Sequence, residues 1–188
     1  MDDVVAVIDV LELGQVRLIG QSMGAHTAIL AASEHPELVE RLVILEGHVS
    51  GSDDPLEAQR LGEFFASWPL PFPGVEQARE FLGSGPLPAA WVADLEAKED
   101  GLWPPFDADV MQSVIEAVHQ PRWKEWETLT PATLAVFGEK GMFSEAQQQE
   151  LVERRPQTEH RVIPGASHDA HLDASERWIS LVRDFVLR

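Results

Sequence analysis

Gly20-Gln21-Ser22-Met23-Gly24 constrains this chain more than any other stretch. It follows the apolar run Val16-Arg17-Leu18-Ile19 and opens into Ala25-His26-Thr27-Ala28-Ile29-Leu30-Ala31-Ala32. The run reads as a buried strand and the small-residue segment as a helix. Between them lies a turn so short that its corner must be crowded, which is where a residue without a Cβ fits. The pattern therefore predicts a strand, a tight turn with Ser22 at its apex, and a helix whose positive end faces the serine hydroxyl.

The remaining strands and helices extend that unit. Residues 2–13 read as a helix, with Asp2 and Asp3 at its N-terminus and Gly14 as its stop. The helix after Ser22 runs to about Glu34, with Pro36 beyond its end, and 41–45 is a second buried strand. Strand, helix and strand over so few residues make a βαβ unit with parallel strands. Strands at 132–137 and 159–163, helices at about 144–154 and over the C-terminal residues around Trp178, and a loop over 164–168 make a second such unit.

Residues 46–131 have a different texture. Ten of the 13 prolines and five of the six tryptophans fall there, and no β-branched run marks a strand. Helical spacing joins Leu61, Phe64, Phe65 and Trp68, and again Val110, Met111, Val114 and Val118 behind Asp107; shorter helices are expected at 75–82 and 88–98. Trp68 to Phe72 and Pro73 should form a stiff, extended loop. The expected organisation is an α/β core over 1–50 and 129–188 with a helical cap or lid over 51–128.

Composition excludes several classes of function. A formal charge of −18 repels nucleic acid and anionic membranes alike, so neither is an expected partner. With no cysteine there is no disulfide framework, thiolate metal site or thiol nucleophile, which is compatible with the cytoplasm. The apolar run near the N-terminus follows two aspartates and is interrupted by Asp9, so it reads neither as a signal peptide nor as a membrane span.

The chain resembles the C-terminal two-thirds of a capped α/β-hydrolase over essentially its whole length. The resemblance is carried by GQSMG, the acidic end of LVILE, the strand TLAVFGEKG, and PGASHDAHLD ahead of the last helix. It implies a mostly parallel sheet flanked by helices with a helical insertion. It also implies a triad in the order Ser, acid, His, needing neither metal nor organic cofactor. Ser22 stands at the nucleophile position, and His168 stands where the family places its base; imidazole titrates near neutrality and suits that role. The acid departs from the commoner pattern: Gly138-Glu139-Lys140-Gly141 has glycine where many members carry Asp. Glu46, at the end of the strand after the elbow helix, is the expected acid, with Glu139 as the alternative. The backbone N–H of Met23 is one oxyanion donor.

The resemblance also implies strands and an oxyanion-hole loop before the elbow that this sequence lacks. The expectation is therefore a fragment, a start assigned too late, or a half-domain completed along an exposed sheet edge by a second copy or another partner. The function expected is carboxylic ester hydrolysis through an acyl-enzyme on Ser22, with a small, mainly apolar acyl substrate. The rivals are an impaired hydrolase-like scaffold, and a triad enzyme doing acyl transfer, perhydrolysis or C–C hydrolysis.

Overall fold

The computed structural model describes residues 1–52 and 54–188, apart from the side chains of residues 108 and 109. In chain order its elements are α1 (Asp2–Val10), β1 (Val16–Gln21), α2 (Met23–Glu34), β2 (Val39–Leu45), α3 (Glu57–Ala66), α4 (Val75–Leu82), α5 (Pro86–Ala93), β3 (Glu96–Lys98), β4 (Gly101–Trp103), α6 (Ala108–Val118), α7 (Trp123–Glu127), β5 (Ala132–Lys140), α8 (Glu145–Arg154), β6 (Glu159–Ser167), α9 (Ala170–Asp173) and α10 (Ser175–Val186). They divide into one unit of residues 1–51 and 120–188 and another of residues 52–119.

The first unit is built on a four-stranded sheet in the order β1-β2-β5-β6, with every neighbouring pair parallel. Parallel strands covered on both faces carry unbroken apolar runs, because successive side chains enter opposite cores. Leu42, Ile44, Ala135 and Phe137 face one core with Ile29 of α2, Trp126 of α7 and Leu151 of α8. Val43, Leu45, Leu134 and Val136 face the other with Ile163 and Phe185, where Trp178, Leu181 and Val182 of α10 close the layer. β1 lies at one edge of the sheet, and Ile19 on it is 46% exposed.

Two elements of this unit differ from the sequence expectation. Strand β6 runs on through Pro164 and Gly165 to Ser167, where a loop was expected, because a register shift between Gly138 and Lys140 lets Lys140 pair with Ser167. Residues 120–128, expected in the helical segment, belong to the first unit: the Trp126 ring is buried there, and its indole N–H donates to the Leu151 carbonyl at 2.9 Å.

The second unit holds α3 to α6 around a small core of Trp68, Phe72, Ala78 and Val92. The helix expected over 88–98 stops at Ala93 and is followed by the β3–β4 hairpin. Each of its strands is three residues long, too short to show a period in the sequence. Phe72 and Leu102 extend the pairing by exchanging backbone hydrogen bonds of 3.0 and 2.9 Å. The loop before Phe72 is not extended throughout, since the Leu70 N–H donates to the Trp68 carbonyl at 2.8 Å and closes a tight turn. Among the described residues no helix is long and apolar enough to cross a membrane.

Candidate active site

All four strands of the sheet end on one edge, and the residues singled out above gather there. Strand β1 ends at Gln21, and the chain turns at once into α2. A Cβ at Gly20 would collide with the carbonyl of Gly24, so the strand can run this close to the first turn of the helix only with glycine there. At Gly24 the same construction meets open space, so the crowding falls on the first glycine alone.

Ser22 between them has φ 53° and ψ −119°, a conformation that side chains other than glycine rarely hold. Its backbone N–H donates to Leu45 O at 2.9 Å, and its carbonyl accepts from Ala25 and His26 N–H at 2.9 and 3.2 Å. Those bonds open the ladder of α2 and leave the Met23 N–H ahead of it, in the first turn where helix donors lack an internal partner. Ser22 occupies the N-cap position, yet its hydroxyl makes no capping bond.

His168 follows β6 directly. Its Nδ1 lies 3.1 Å from Gln21 Nε2 and 3.5 Å from Asp169 Oδ1, and the same Gln21 nitrogen lies 3.4 Å from the His168 carbonyl. Residues from the two outermost strands thus meet across the sheet edge, with Gln21 as the link between the serine corner and the imidazole. His168 Nε2 is buried and has no hydrogen-bond partner among the described residues. Ser22 and His168 share no direct hydrogen bond among the described residues.

Glu46 comes directly after β2, is 1% exposed, and has a φ of 49°. Its carboxylate accepts from Gly138 N–H at 2.7 Å and from Met142 N–H at 2.8 Å, tying the end of β5 to the turn beyond it. A Cβ at Gly141 would run into this carboxylate. The space that a side chain at 141 would need is thus filled by a glutamate reaching in from the neighbouring strand. No hydrogen bond or ion pair joins Glu46 to His168 among the described residues. Glu139 is exposed and accepts from Gly165 N–H at 2.7 Å, which links β5 to β6.

With this geometry in hand, the comparison with known families is decisive: the profile of the alpha/beta hydrolase family matches residues 1–181. The chain belongs to that family. It is 24% identical over 200 residues to 2-(acetamidomethylene)succinate hydrolase of Mesorhizobium japonicum, an alignment covering 98% of this chain and 69% of the relative. The crystal structure of an E-2-(acetamidomethylene)succinate hydrolase superposes with a TM-score of 0.88 at 20% identity, over 100% of this chain and 72% of the other. A marine microorganism esterase superposes at 0.79 and 21% identity, over 98% and 75%. The superpositions establish the alpha/beta hydrolase fold, and the hydrolases among the relatives place the chain among enzymes.

Within this hydrolase, sequence reasoning missed Gln21 as a partner of the imidazole and Asp169 as the carboxylate beside Nδ1. The Gln21 contact has no signature in the sequence, because it depends on the order of strands in the sheet. Asp169 adjoins His168 in the chain, and that adjacency was the available signal. Among the described residues no three His, Asp or Glu side chains cluster as a metal site.

Proposed function

We propose that the chain hydrolyses carboxylic esters of uncharged or modestly polar acyl groups through an acyl-enzyme on Ser22. The observation that carries the reading is the strained corner at Ser22, whose hydroxyl is not used for capping and whose neighbour Gln21 is hydrogen-bonded to His168. Ser22 Oγ attacks the ester carbonyl carbon and passes its proton to His168 Nε2. The oxyanion of the tetrahedral intermediate takes a hydrogen bond from Met23 N–H. Collapse expels the alcohol, which leaves with the proton from His168. Water then attacks the acyl-enzyme with His168 as base, releasing the acid and restoring Ser22.

Glu46 is assigned the triad acid. Its burial, its positive φ and its occupation of the space at Gly141 support this, and each oxygen accepts only one backbone N–H, leaving a lone pair free. Asp169 is the second reading, favoured by its 3.5 Å approach to Nδ1. The test of the whole reading is direct. Ser22 should be labelled by a fluorophosphonate, and Ser22→Ala should abolish both labelling and turnover of p-nitrophenyl butyrate. Turnover by the alanine variant at the parent rate would overturn the proposal, and failure of the parent to label would favour a scaffold.

A further inference from the structure

The second unit contains a cleft of about 220 Å³ that plays no part in the chemistry above. Phe65, Trp68, Trp91 and Phe106 line it, with Met111 and Asp94. The four rings approach one another with centroids 5.2 to 6.4 Å apart and are tilted or edge-on rather than parallel. Trp68 is buried, but Phe65, Trp91 and Phe106 keep part of their surface open. Pro104 and Pro105 complete the lining, which also brings the Asp94 carboxylate to the rings.

That carboxylate is exposed and has no hydrogen-bond or ion-pair partner among the described residues; only the Asp94 backbone N–H is bonded, to its own helix. The lining holds no cationic side chain. Residues 52–119 carry thirteen acidic side chains against three basic ones. Of those three, Arg60 is paired with Asp54 and Lys98 lies over the Trp103 ring. The unit's field therefore favours a cation at this cleft and opposes an anion. Aromatic faces attract a cation through their quadrupole, and they do so most strongly for organic ammonium ions, whose hydration is weak. An alkyl body suits the ring faces and Met111, while the ammonium head suits Asp94.

We propose that this cleft is a binding site for small organic cations of the alkylammonium class, held against the ring faces with Asp94 as counter-ion. The site is independent of the ester chemistry assigned to Ser22, and binding is read without turnover.

The experiment titrates the full chain with choline, and in parallel with 3,3-dimethylbutan-1-ol, which has the same shape without the charge. Calorimetry reads binding, and tryptophan fluorescence reports on Trp68 and Trp91. Choline should saturate the site and bind about fivefold or more tighter than the alcohol. Added salt should weaken choline and leave the alcohol unchanged. Asp94→Asn should weaken choline about fivefold, and Asp94→Glu should restore most of the loss. Because residue 94 is exposed, both variants should keep the parent's near-ultraviolet circular dichroism. Equal affinity for the two probes, an unchanged Kd in Asp94→Asn, or no binding of choline would each overturn the proposal. Binding that persists in Ser22→Ala keeps this result separate from the fate of the catalytic reading.

Discussion

At the scale of single residues, the tautomer of His168 follows from what Gln21 touches. One amide nitrogen of Gln21 faces both the His168 carbonyl and Nδ1. A carbonyl only accepts, so that end of Gln21 must be the NH2 group, and Nδ1 beside it accepts as well. The neutral ring then carries its proton on Nε2. To take a proton from Ser22 the ring must instead hold it on Nδ1, facing a carboxylate that stabilises the positive imidazolium. Two carboxylates compete for that task, and they separate experimentally. Glu46→Gln should lower kcat by on the order of a thousandfold or more if Glu46 is the acid, with Asp169→Asn much milder. The reverse pattern would give the role to Asp169. Glu46→Gln should also lower stability by about 1–3 kcal/mol, since an amide cannot serve the N–H groups of Gly138 and Met142 as a carboxylate does; a denaturant titration measures this beside the kinetics.

Among the elements, the end of β2 is fastened to its surroundings by His48. The ring is buried between Trp123 and Phe143, with centroids 5.3 Å away in each case. Nδ1 accepts from Ser50 N–H at 3.2 Å, which fixes Nε2 as the donor to Gln147 O at 2.9 Å. Burial pushes the His48 pKa below the ordinary imidazole value, against smaller opposing effects from the Gln147 carbonyl and Glu150. His26 on α2 is lowered as well, by burial first and then by Arg122. The unfolded chain therefore binds more protons than the folded one as pH falls through about 6.5. Stability is full above that value and declines below it, by at most about 1.4 kcal/mol per pH unit for each group. Thermal melts between pH 7.5 and 5.5 should show the decline, and His48→Gln should flatten it. An unaltered slope in the variant would mean that this ring takes up its proton alike in the folded and unfolded chain.

The same scale shows what could be read from the chain before folding. Leu42 to Leu45 and Leu134 to Phe137 announced themselves because a buried parallel strand is apolar on both faces. Gly20 and Ser22 were legible because a strand-to-helix corner this tight leaves few alternatives. The β3–β4 hairpin was not, since three residues carry no periodicity, and neither was the place of α7. Trp123 and Trp126 resemble the aromatics of residues 52–119 in composition, while Trp126 is sorted by packing against Leu151. The meeting of Gln21 with His168 lies further still from the sequence, for it depends on the loop after β6 reaching back toward β1.

For the molecule as a whole, three described residues other than glycine have a positive φ, namely Glu12, Ser22 and Glu46; the last two follow directly on strands of the sheet, and both contribute the atoms assigned to catalysis. A sparsely populated conformation of this kind costs on the order of 1–3 kcal/mol, and only glycine adopts it freely. Ser22→Ala keeps the cost and removes the hydroxyl, whereas Ser22→Gly removes both. The glycine variant should therefore melt above the alanine variant, and at or above the parent, while turning over nothing; a lower melting temperature than alanine would show the corner to be relaxed. This protein is thus expected to be sturdier dead than alive. A stabilisation screen run without an activity assay would select against the very serine to which catalysis is assigned.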